Sequence, residues 1–176
     1  DGTTVHGESN ITQSAGNINR LFIDPADIES NPDAITSINE ADIIVIGPGS
    51  LFTSILPNLL VPGINNALES TAARKIYVCN VAQEIGETDG YSAQDHVRTV
   101  QAYTSENIAD LVIINQPSVT MKGHRSIHQV IPGTKTADNI SNIPVITTDL
   151  INPHNPIHHD PVKLAQVIID VYHNRS

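Results

Sequence analysis

Short apolar runs alternate along the chain with segments in which apolar residues recur every three or four positions. Continuous runs rich in Val and Ile are typical of strands that helices cover on both faces, as in a parallel sheet. The chain has such runs at 42–47, 74–81, 109–116 and 143–150. A shorter stretch at 20–25 (RLFIDP) predicts one more strand.

Four of the intervening segments carry signals of a helix start. They are 31–41 (cap Asn31, then Pro32), 62–73 (Pro62), 91–104 (capping box Ser92 and Asp95) and 160–174 (cap Asp160, then Pro161). Because strands and helices alternate, we predict one α/β domain with a doubly wound, mostly parallel sheet and helices on both faces. The segment 117–142 has weak periodicity, which predicts irregular structure.

Composition narrows the classes of function. With 19 acidic and 9 basic residues the formal net charge is −10, which argues against nucleic-acid binding but permits small anions held by backbone dipoles. No apolar run reaches 18 residues, so we expect no membrane span. The single Cys79 lies in a predicted strand, which favours a buried inert thiol in a reducing compartment. The opening residues resemble the middle of a protein, so we expect the chain to be part of a longer one.

Ligands of open α/β sheets bind beyond the carboxyl ends of the strands, and the turn after 42–47 is the first candidate site. Gly47 and Gly49 permit positive φ and close approach of a ligand, while Ser50, Thr53 and Ser54 add hydroxyls beside the N–H groups of a helix start. The alternative is a tight turn that needs glycine for its geometry only.

The loop after 74–81 is the second candidate. Asn80 ends the strand, and Glu84, Glu87, Asp89 and Asp95 follow it. Such carboxylates could bind a divalent metal or act as acid and base, or they could form a solvated loop with a helix cap.

Amides and histidines supply weaker candidates. Asn115 and Gln116 end the third strand and could contact a base or sugar, or complete backbone hydrogen bonds. His154, His158 and His159 cluster near the C-terminus, and His124 is four residues before His128, but neither pattern has the partners of a usual metal site. We therefore expect no structural metal.

Two blocks, 47–64 (GPGSLFTSILPNLLVPGI) and 75–97 (KIYVCNVAQEIGETDGYSAQDHV), resemble the CofD-like superfamily, and more closely the bacterial gluconeogenesis factor (YvcK-type) family. Segments 1–12 and 156–168 resemble the same family, so the resemblance covers nearly the whole chain. It implies a Rossmann-like three-layer α/β/α fold, of which the chain is the C-terminal portion, without a Gly-rich upstream half.

The resemblance also implies a function. The family is cytoplasmic, is linked to cell shape on gluconeogenic carbon sources, and binds a nucleotide sugar of the UDP-N-acetylglucosamine type. The implied ligand-binding residues are Gly47, Pro48, Gly49, Ser50, Thr53, Asn80, Gly86, Glu87, Thr88, Ser9 and Asn10. The resemblance does not settle whether the protein forms a homo-oligomer.

The chain departs from the family at two places. Residues 82–85 (AQEI) stand where the family commonly has Met-Thr-Gln-Pro, which removes a hydroxyl and adds a charge. His158 stands where the family commonly has Arg, and imidazole lacks the bidentate fork that guanidinium offers a phosphate. Both departures lower the affinity that we expect for a diphosphate.

Three interpretations remain open. The first is a nucleotide-sugar-binding regulator without turnover. The second is a 2-phospho-lactate transferase that acts on a deazaflavin precursor and uses Glu87 or Asp95. Only in this case do we expect a divalent metal. The third is an interaction module that has lost its pocket.

Overall fold

A computed structural model describes residues 2–14, 18–116, 128–131 and 139–174. Within these residues a five-stranded sheet has the order β1-β2-β3-β5-β4. The strands are β1 (Ile43–Ile46), β2 (Arg74–Val78), β3 (Leu111–Asn115), β4 (Asn139–Ile140) and β5 (Ile143–Thr148). The neighbours β1, β2, β3 and β5 are parallel, and β4 pairs antiparallel with β5. The four predicted strands and their parallel arrangement are confirmed.

Helices connect and cover these strands. They are α1 (Glu8–Gln13), α2 (Pro32–Glu40), α3 (Leu56–Leu59), α4 (Pro62–Ser70), α5 (Ala93–Tyr103) and α6 (Pro161–His173), and a π-helical turn (Leu51–Ile55) runs into α3. The predicted caps form: the Asn31 side chain accepts from the Asp33 N–H, and that of Asp160 accepts from the N–H groups at the start of α6. Ser92 and Asp95 make the predicted capping box.

Alternate residues of each central strand face opposite layers. In the described structure Ile76, Val78 and Ile113 form a cluster with Val171, a buried residue of α6. Tyr77, Val112 and Ile114 face the other side, where they join a larger cluster. That cluster includes Leu56 of α3, Leu68 of α4, and Val97 and Val100 of α5. Helices therefore lie on both faces, as the predicted three-layer α/β/α fold requires.

Some predicted features differ from the structure. The segment 20–25 is not a strand: the Leu21 N–H donates to the Tyr103 hydroxyl instead of to a neighbouring strand, and Phe22 is 52% exposed. β1 is an outer strand of the described sheet, and its Val45 is 38% exposed rather than covered. The segment 117–142 lies largely outside the described residues.

A small hairpin was not predicted. β6 (Ile151–Asn152) and β7 (Asn155–His159) pair antiparallel immediately before α6. Two prolines and three histidines in this segment concealed its extended conformation, because neither residue type is typical of strands.

The parallel register places the candidate loops at one edge. Ile46 pairs with Tyr77, and Val78 pairs with Ile113, so the chain leaves β1, β2 and β3 on the same side of the sheet. None of the helices in the described ranges has the length and apolar character that crossing a membrane demands.

Candidate functional site

The turn after β1 is shaped by Gly47. Its φ is +85°, and a Cβ at this position would lie 2.8 Å from the Val78 carbonyl oxygen and 3.2 Å from Ile55 Cδ1. Gly47 is therefore required by the fold. Gly49 differs from the prediction, because it does not adopt positive φ and a Cβ there would make only an ordinary contact, 3.6 Å from Ser54 Cβ. The turn itself does not explain a glycine at 49.

Asn80 joins the turn to the end of β2. The Gly49 N–H donates to Asn80 Oδ1 (3.1 Å), and Asn80 Nδ2 donates to the Gly49 carbonyl (2.9 Å). Pro48, which follows a cis peptide bond, lies exposed beside this pair. The structure thus brings together Gly47, Pro48, Gly49 and Asn80, four of the predicted residues.

The hydroxyls of the turn point to carboxylates. Ser50 Oγ donates to Glu84 Oε1 (2.8 Å), and Thr53 Oγ1 donates to Glu87 Oε1 (3.0 Å). The Ser50 carbonyl accepts from the N–H groups of Ser54 and Ile55, which starts the π-helical turn. In this structure two of the three hydroxyls that the sequence suggested for a phosphate, those of Ser50 and Thr53, donate to acidic side chains.

The loop after β2 folds tightly around these carboxylates. The N–H groups of Glu87 and Thr88 donate to the Glu84 carbonyl, and the Glu84 N–H donates to the fully buried Thr88 hydroxyl (2.9 Å). Gly86 has φ +86° and donates its N–H to Asp89. Thr88 and Gly86 thus shape the loop, and Glu84 and Glu87 face the turn.

Helix α1 approaches the site through a residue that sequence reasoning missed. Thr12 Oγ1 lies 3.2 Å from Glu87 Oε1 and also 3.2 Å from the Glu8 carbonyl, so its single hydrogen is shared. The predicted Ser9 and Asn10 are on the same helix but exposed, and Asn10 donates to the His6 carbonyl. Thr12 has a hydroxyl and lies one helical turn after Ser9, so the sequence did offer a signal for it.

Several buried polar atoms at this edge have no hydrogen-bond partner among the described residues. They are Glu84 Oε2, Glu87 Oε2, Asn115 Nδ2 and His159 Nε2. Glu84, Glu87 and Asn115 lie at or beyond the carboxyl ends of β2 and β3. The ring of His159 donates to the carbonyl of Cys79, which comes just after β2. Four further atoms of this kind are those of Asn65, His96, Ser105 and Gln129. Buried polar atoms are nearly always paired in folded proteins, so the atoms at this edge are groups that a ligand or bound water would complete.

The charge states follow from burial. Burial raises the pKa of Glu84; the hydrogen bond from Ser50 lowers it, and the charge of Glu87 raises it again. Burial lowers the pKa of His159, and its hydrogen bond to the Cys79 carbonyl offsets only part of that shift. Burial raises the pKa of the Cys79 thiol to about 12, so this cysteine is unreactive, as predicted.

The other acidic and histidine candidates have local roles. Asp95 completes the cap of α5, and the buried His96 ring is 2.9 Å from the Ser92 carbonyl and edge-on to Tyr91. The described residues contain no group of three or more His, Cys, Asp or Glu side chains suited to a metal, and His124 lies outside them. The side-chain oxygen of Asn115 accepts from the Leu150 N–H, and its Nδ2 has no partner among the described residues. Gln116 is exposed, and its N–H donates to the Thr148 carbonyl.

Two cavities lie near the site but do not include the turn. One, of about 610 Å³, is lined by residues within 2–24, among them His6 and Arg20. The other, of about 380 Å³, lies against α5 and is lined by Phe52, Tyr91 and Arg98. Glu84 and Glu87 line neither of these two cavities.

Comparison with known proteins identifies the family. The sequence profile of the family described as "2-phospho-L-lactate transferase CofD" matches residues 1–151. A gluconeogenesis factor of Halalkalibacterium halodurans is 35% identical over 97% of this chain, and one of Bacillus subtilis is 36% identical over 97%. A crystal structure of a UPF0052 family member from Bacillus halodurans superimposes with a TM-score of 0.86 at 34% identity, covering 96% of this chain and 55% of that one.

The similarity extends over the chain but not over the whole of its relatives. The chain spans 54% of the Halalkalibacterium protein and 56% of the Bacillus subtilis protein. The fold that the resemblance implied is confirmed by the parallel sheet and by the superposition. The chain belongs to the CofD family, and its relatives include proteins named gluconeogenesis factors.

Proposed function

We propose that this chain binds a nucleotide sugar of the UDP-N-acetylglucosamine type at the carboxyl edge of its sheet. In this proposal the protein acts in the cytoplasm as a gluconeogenesis and cell-shape factor that senses the ligand without converting it. The observation that carries the proposal is the group of buried, unpaired polar atoms at Glu84, Glu87, Asn115 and His159 beside the turn 47–50.

The chemistry of these atoms fits a ligand with many polar groups. Carboxylate oxygens accept from sugar hydroxyls or an acetamido N–H, whereas the Asn115 amide donates to a carbonyl. Leaving such atoms buried and unpaired costs about 1–3 kcal/mol each, which ligand contacts would offset. Gly49 supports the same proposal, because a residue without a side chain allows a ligand to approach a turn whose own geometry does not require glycine.

One observation favours the transferase as a second candidate. Glu84 is a partly buried carboxyl whose pKa is raised by burial, and carboxyls with raised pKa values are common among general acids and bases. Transfer of a 2-phospho-lactyl group to a deazaflavin precursor, followed by product analysis, distinguishes this candidate from a regulator that binds without turnover.

The test is thermal unfolding of the intact protein with UDP-N-acetylglucosamine, and with UDP and ATP as controls. At ligand concentrations 100 times the dissociation constant, stability should rise by about 2.7 kcal/mol. The rise should be specific to the UDP-sugar, and Gly49→Val should abolish it. If no nucleotide changes the unfolding temperature, the proposal is wrong and the loss of a functional pocket becomes the better interpretation.

A further inference from the structure

The side chain of Asn115 offers a hydrogen-bond donor that its surroundings do not use. Asn115 ends β3 and is only 1% exposed. Its Oδ1 accepts from the Leu150 N–H (2.9 Å), and because a backbone N–H can only donate, this bond fixes which end of the amide is which. The Nδ2 group at the other end is buried and has no partner among the described residues. Asn115 therefore presents an unused donor at the edge of the sheet.

His159 offers the complementary group, an unused acceptor. Its ring donates to the carbonyl of Cys79, and its buried Nε2 is the ring nitrogen that has no partner in the described structure, so Nδ1 makes this bond. Burial lowers the pKa of His159, which favours the neutral ring. A neutral imidazole that donates through Nδ1 has no hydrogen on Nε2, and this nitrogen can therefore only accept.

Backbone contacts hold the two side chains at the same place in the fold. The Leu150 N–H donates to Asn115, and the Leu150 carbonyl accepts from the N–H of the residue that follows His159 (2.7 Å). Cys79, which accepts from the His159 ring, donates its own N–H to the carbonyl of Ile113 in β3 (3.0 Å). The unused donor and the unused acceptor are thus both tied to the carboxyl ends of β2 and β3.

This combination of groups is unsuited to a phosphate. The oxygens of a diphosphate only accept, so they would leave Nε2 of His159 without a donor. An amide group satisfies both residues, because its carbonyl accepts and its N–H donates. The proposed ligand, UDP-N-acetylglucosamine, contains two such groups: the acetamido group of the sugar and the ring amide of uracil.

We propose that Asn115 and His159 together recognise an amide group of the ligand, whose carbonyl accepts from Asn115 Nδ2 and whose N–H donates to His159 Nε2. The inference rests on the proposed nucleotide-sugar binding and names the chemical group that these two residues select. It makes them specificity-determining residues, whereas the turn after β1 and its carboxylates contact other parts of the ligand.

The experiment is calorimetric titration of three nucleotide sugars into the intact protein. UDP-N-acetylglucosamine is compared with UDP-glucose, which has a hydroxyl in place of the acetamido group. UDP-glucose is then compared with CDP-glucose, because cytosine has an amino group and a bare nitrogen where uracil has its carbonyl and N–H. We expect one of these two exchanges to weaken binding by about tenfold or more, since it leaves the buried donor and acceptor unpaired.

Two variants should remove that preference. His159→Asn keeps an N–H donor for the Cys79 carbonyl but has no atom in place of Nε2. Asn115→Asp keeps the acceptor for the Leu150 N–H and replaces the Nδ2 donor by an oxygen. His154→Asn is the matched control: this exposed histidine lies between β6 and β7 of the same hairpin, and the variant should retain the preference of the unmodified protein.

The pattern of affinities identifies the amide. Loss of the acetamido preference in both variants assigns the pair to the sugar, loss of the uracil preference assigns it to the base, and either result supports the proposal. Equal binding of all three ligands by the unmodified protein overturns it. Variants that leave all three affinities unchanged, or weaken all three equally, also overturn it, because a structural role or a contact with a hydroxyl would affect the three ligands alike.

A second measurement separates this inference from the proposed function and needs no folded variant. If none of the nucleotide sugars binds, the proposed function fails, and the imidazole ¹⁵N signals of the unmodified protein are recorded with N-acetylglucosamine and with uridine at millimolar concentration. Accepting a hydrogen bond shifts the signal of an unprotonated Nε2. A shift of the His159 signal with either compound supports recognition of an amide, and no shift with either overturns it. The same measurement with UDP-N-acetylglucosamine decides the inference if a variant does not fold.

Discussion

The protein uses the same chemical pair, a serine hydroxyl and a carboxylate, in two places with different results. At the start of α5, Ser92 Oγ donates to Asp95 Oδ2 (2.6 Å), the Ser92 N–H donates to the same oxygen (2.8 Å), and the Asp95 N–H donates back to Ser92 Oγ (3.3 Å). In the turn after β1, Ser50 Oγ donates to Glu84 Oε1 (2.8 Å), and Glu84 Oε2 is buried without a described partner.

The difference lies in burial and in the number of donors. Hydrogen bonds from the Ser92 hydroxyl and N–H lower the pKa of Asp95, because they stabilise its carboxylate as an anion. Burial dominates at Glu84 and raises its pKa. The Ser92 pair is complete and stabilises a helix, whereas the Ser50 pair leaves an acceptor for something else. The unpaired atom beside the Ser50 pair is the reason why we propose that pair, and not the Ser92 pair, as part of a binding site.

The largest loss of stability is expected for a substitution at Gly47, in the turn after β1. Gly47→Ala combines positive φ with a Cβ 2.8 Å from a backbone oxygen, and should lower the free energy of unfolding by about 3 kcal/mol. Gly90→Ala is the control, with φ +77° but open space, and should cost about 1 kcal/mol. Chemical denaturation measures both. Equal losses would mean that Gly47 is needed for its φ alone.

The next largest effect is expected at the Ser92–Asp95 pair. Ser92→Ala removes the N-cap hydroxyl of α5 and should lower the free energy of unfolding by about 1 kcal/mol. Ser92→Thr retains the hydroxyl and should recover most of that stability. Urea denaturation of the two variants provides the comparison, and an Ala variant as stable as the unmodified protein would contradict a stabilising role for the capping box.

Removing the charge should raise the stability of the protein at Glu84 and lower it at Asp95. Glu84→Gln keeps an acceptor for Ser50 but relieves buried charge, so at pH 7 without ligand it should raise stability by about 0.5–1 kcal/mol, given the partial exposure of Glu84. Asp95→Asn replaces charge-assisted hydrogen bonds by weaker ones and should lower stability by about 0.5 kcal/mol. Unfolding temperatures that move in the same direction would show that the two pairs do not differ as described.

The smallest effect is a dependence on pH. A carboxyl whose pKa is raised in the folded state binds protons more tightly there, so the Glu84 contribution favours folding below the unfolded pKa and is lost as pH rises through the folded pKa. Asp95 behaves oppositely, since its lowered pKa adds stability that disappears as pH falls through the folded value. The free energy of unfolding, measured from pH 4 upward, should therefore decline less with rising pH in Glu84→Gln than in the unmodified protein. An unchanged slope would contradict the raised pKa.

The parts of the fold that depend on local sequence could be predicted. The caps at Asn31 and Asp160 act on N–H groups two or three residues away, and the buried strands depend on runs of Val and Ile. The segment 20–25 has a strand-like composition, but strand formation needs a pairing partner, and the Leu21 N–H finds the Tyr103 hydroxyl, 82 residues away, instead.

The candidate site could be predicted in position but not in detail. The residues Gly47, Gly49, Ser50 and Asn80 follow from the rule that ligands bind at the carboxyl ends of strands. The orientation of Ser50 and Thr53 towards Glu84 and Glu87 depends on contacts 34 residues apart, and that of Thr12 towards Glu87 on one 75 residues apart. Such contacts leave no local pattern, so their consequence, a hydroxyl turn surrounded by carboxylates, required the structure.

The most direct test of the central claim compares the two serines in ligand binding. Calorimetric titration of UDP-N-acetylglucosamine into Ser50→Ala and Ser92→Ala should show affinity reduced about tenfold in the first, because Glu84 then loses the hydrogen bond that orients its carboxylate at the proposed site. The second should bind as tightly as the unmodified protein. Equal affinities in both variants and the unmodified protein would contradict the assignment of the ligand site to the turn after β1.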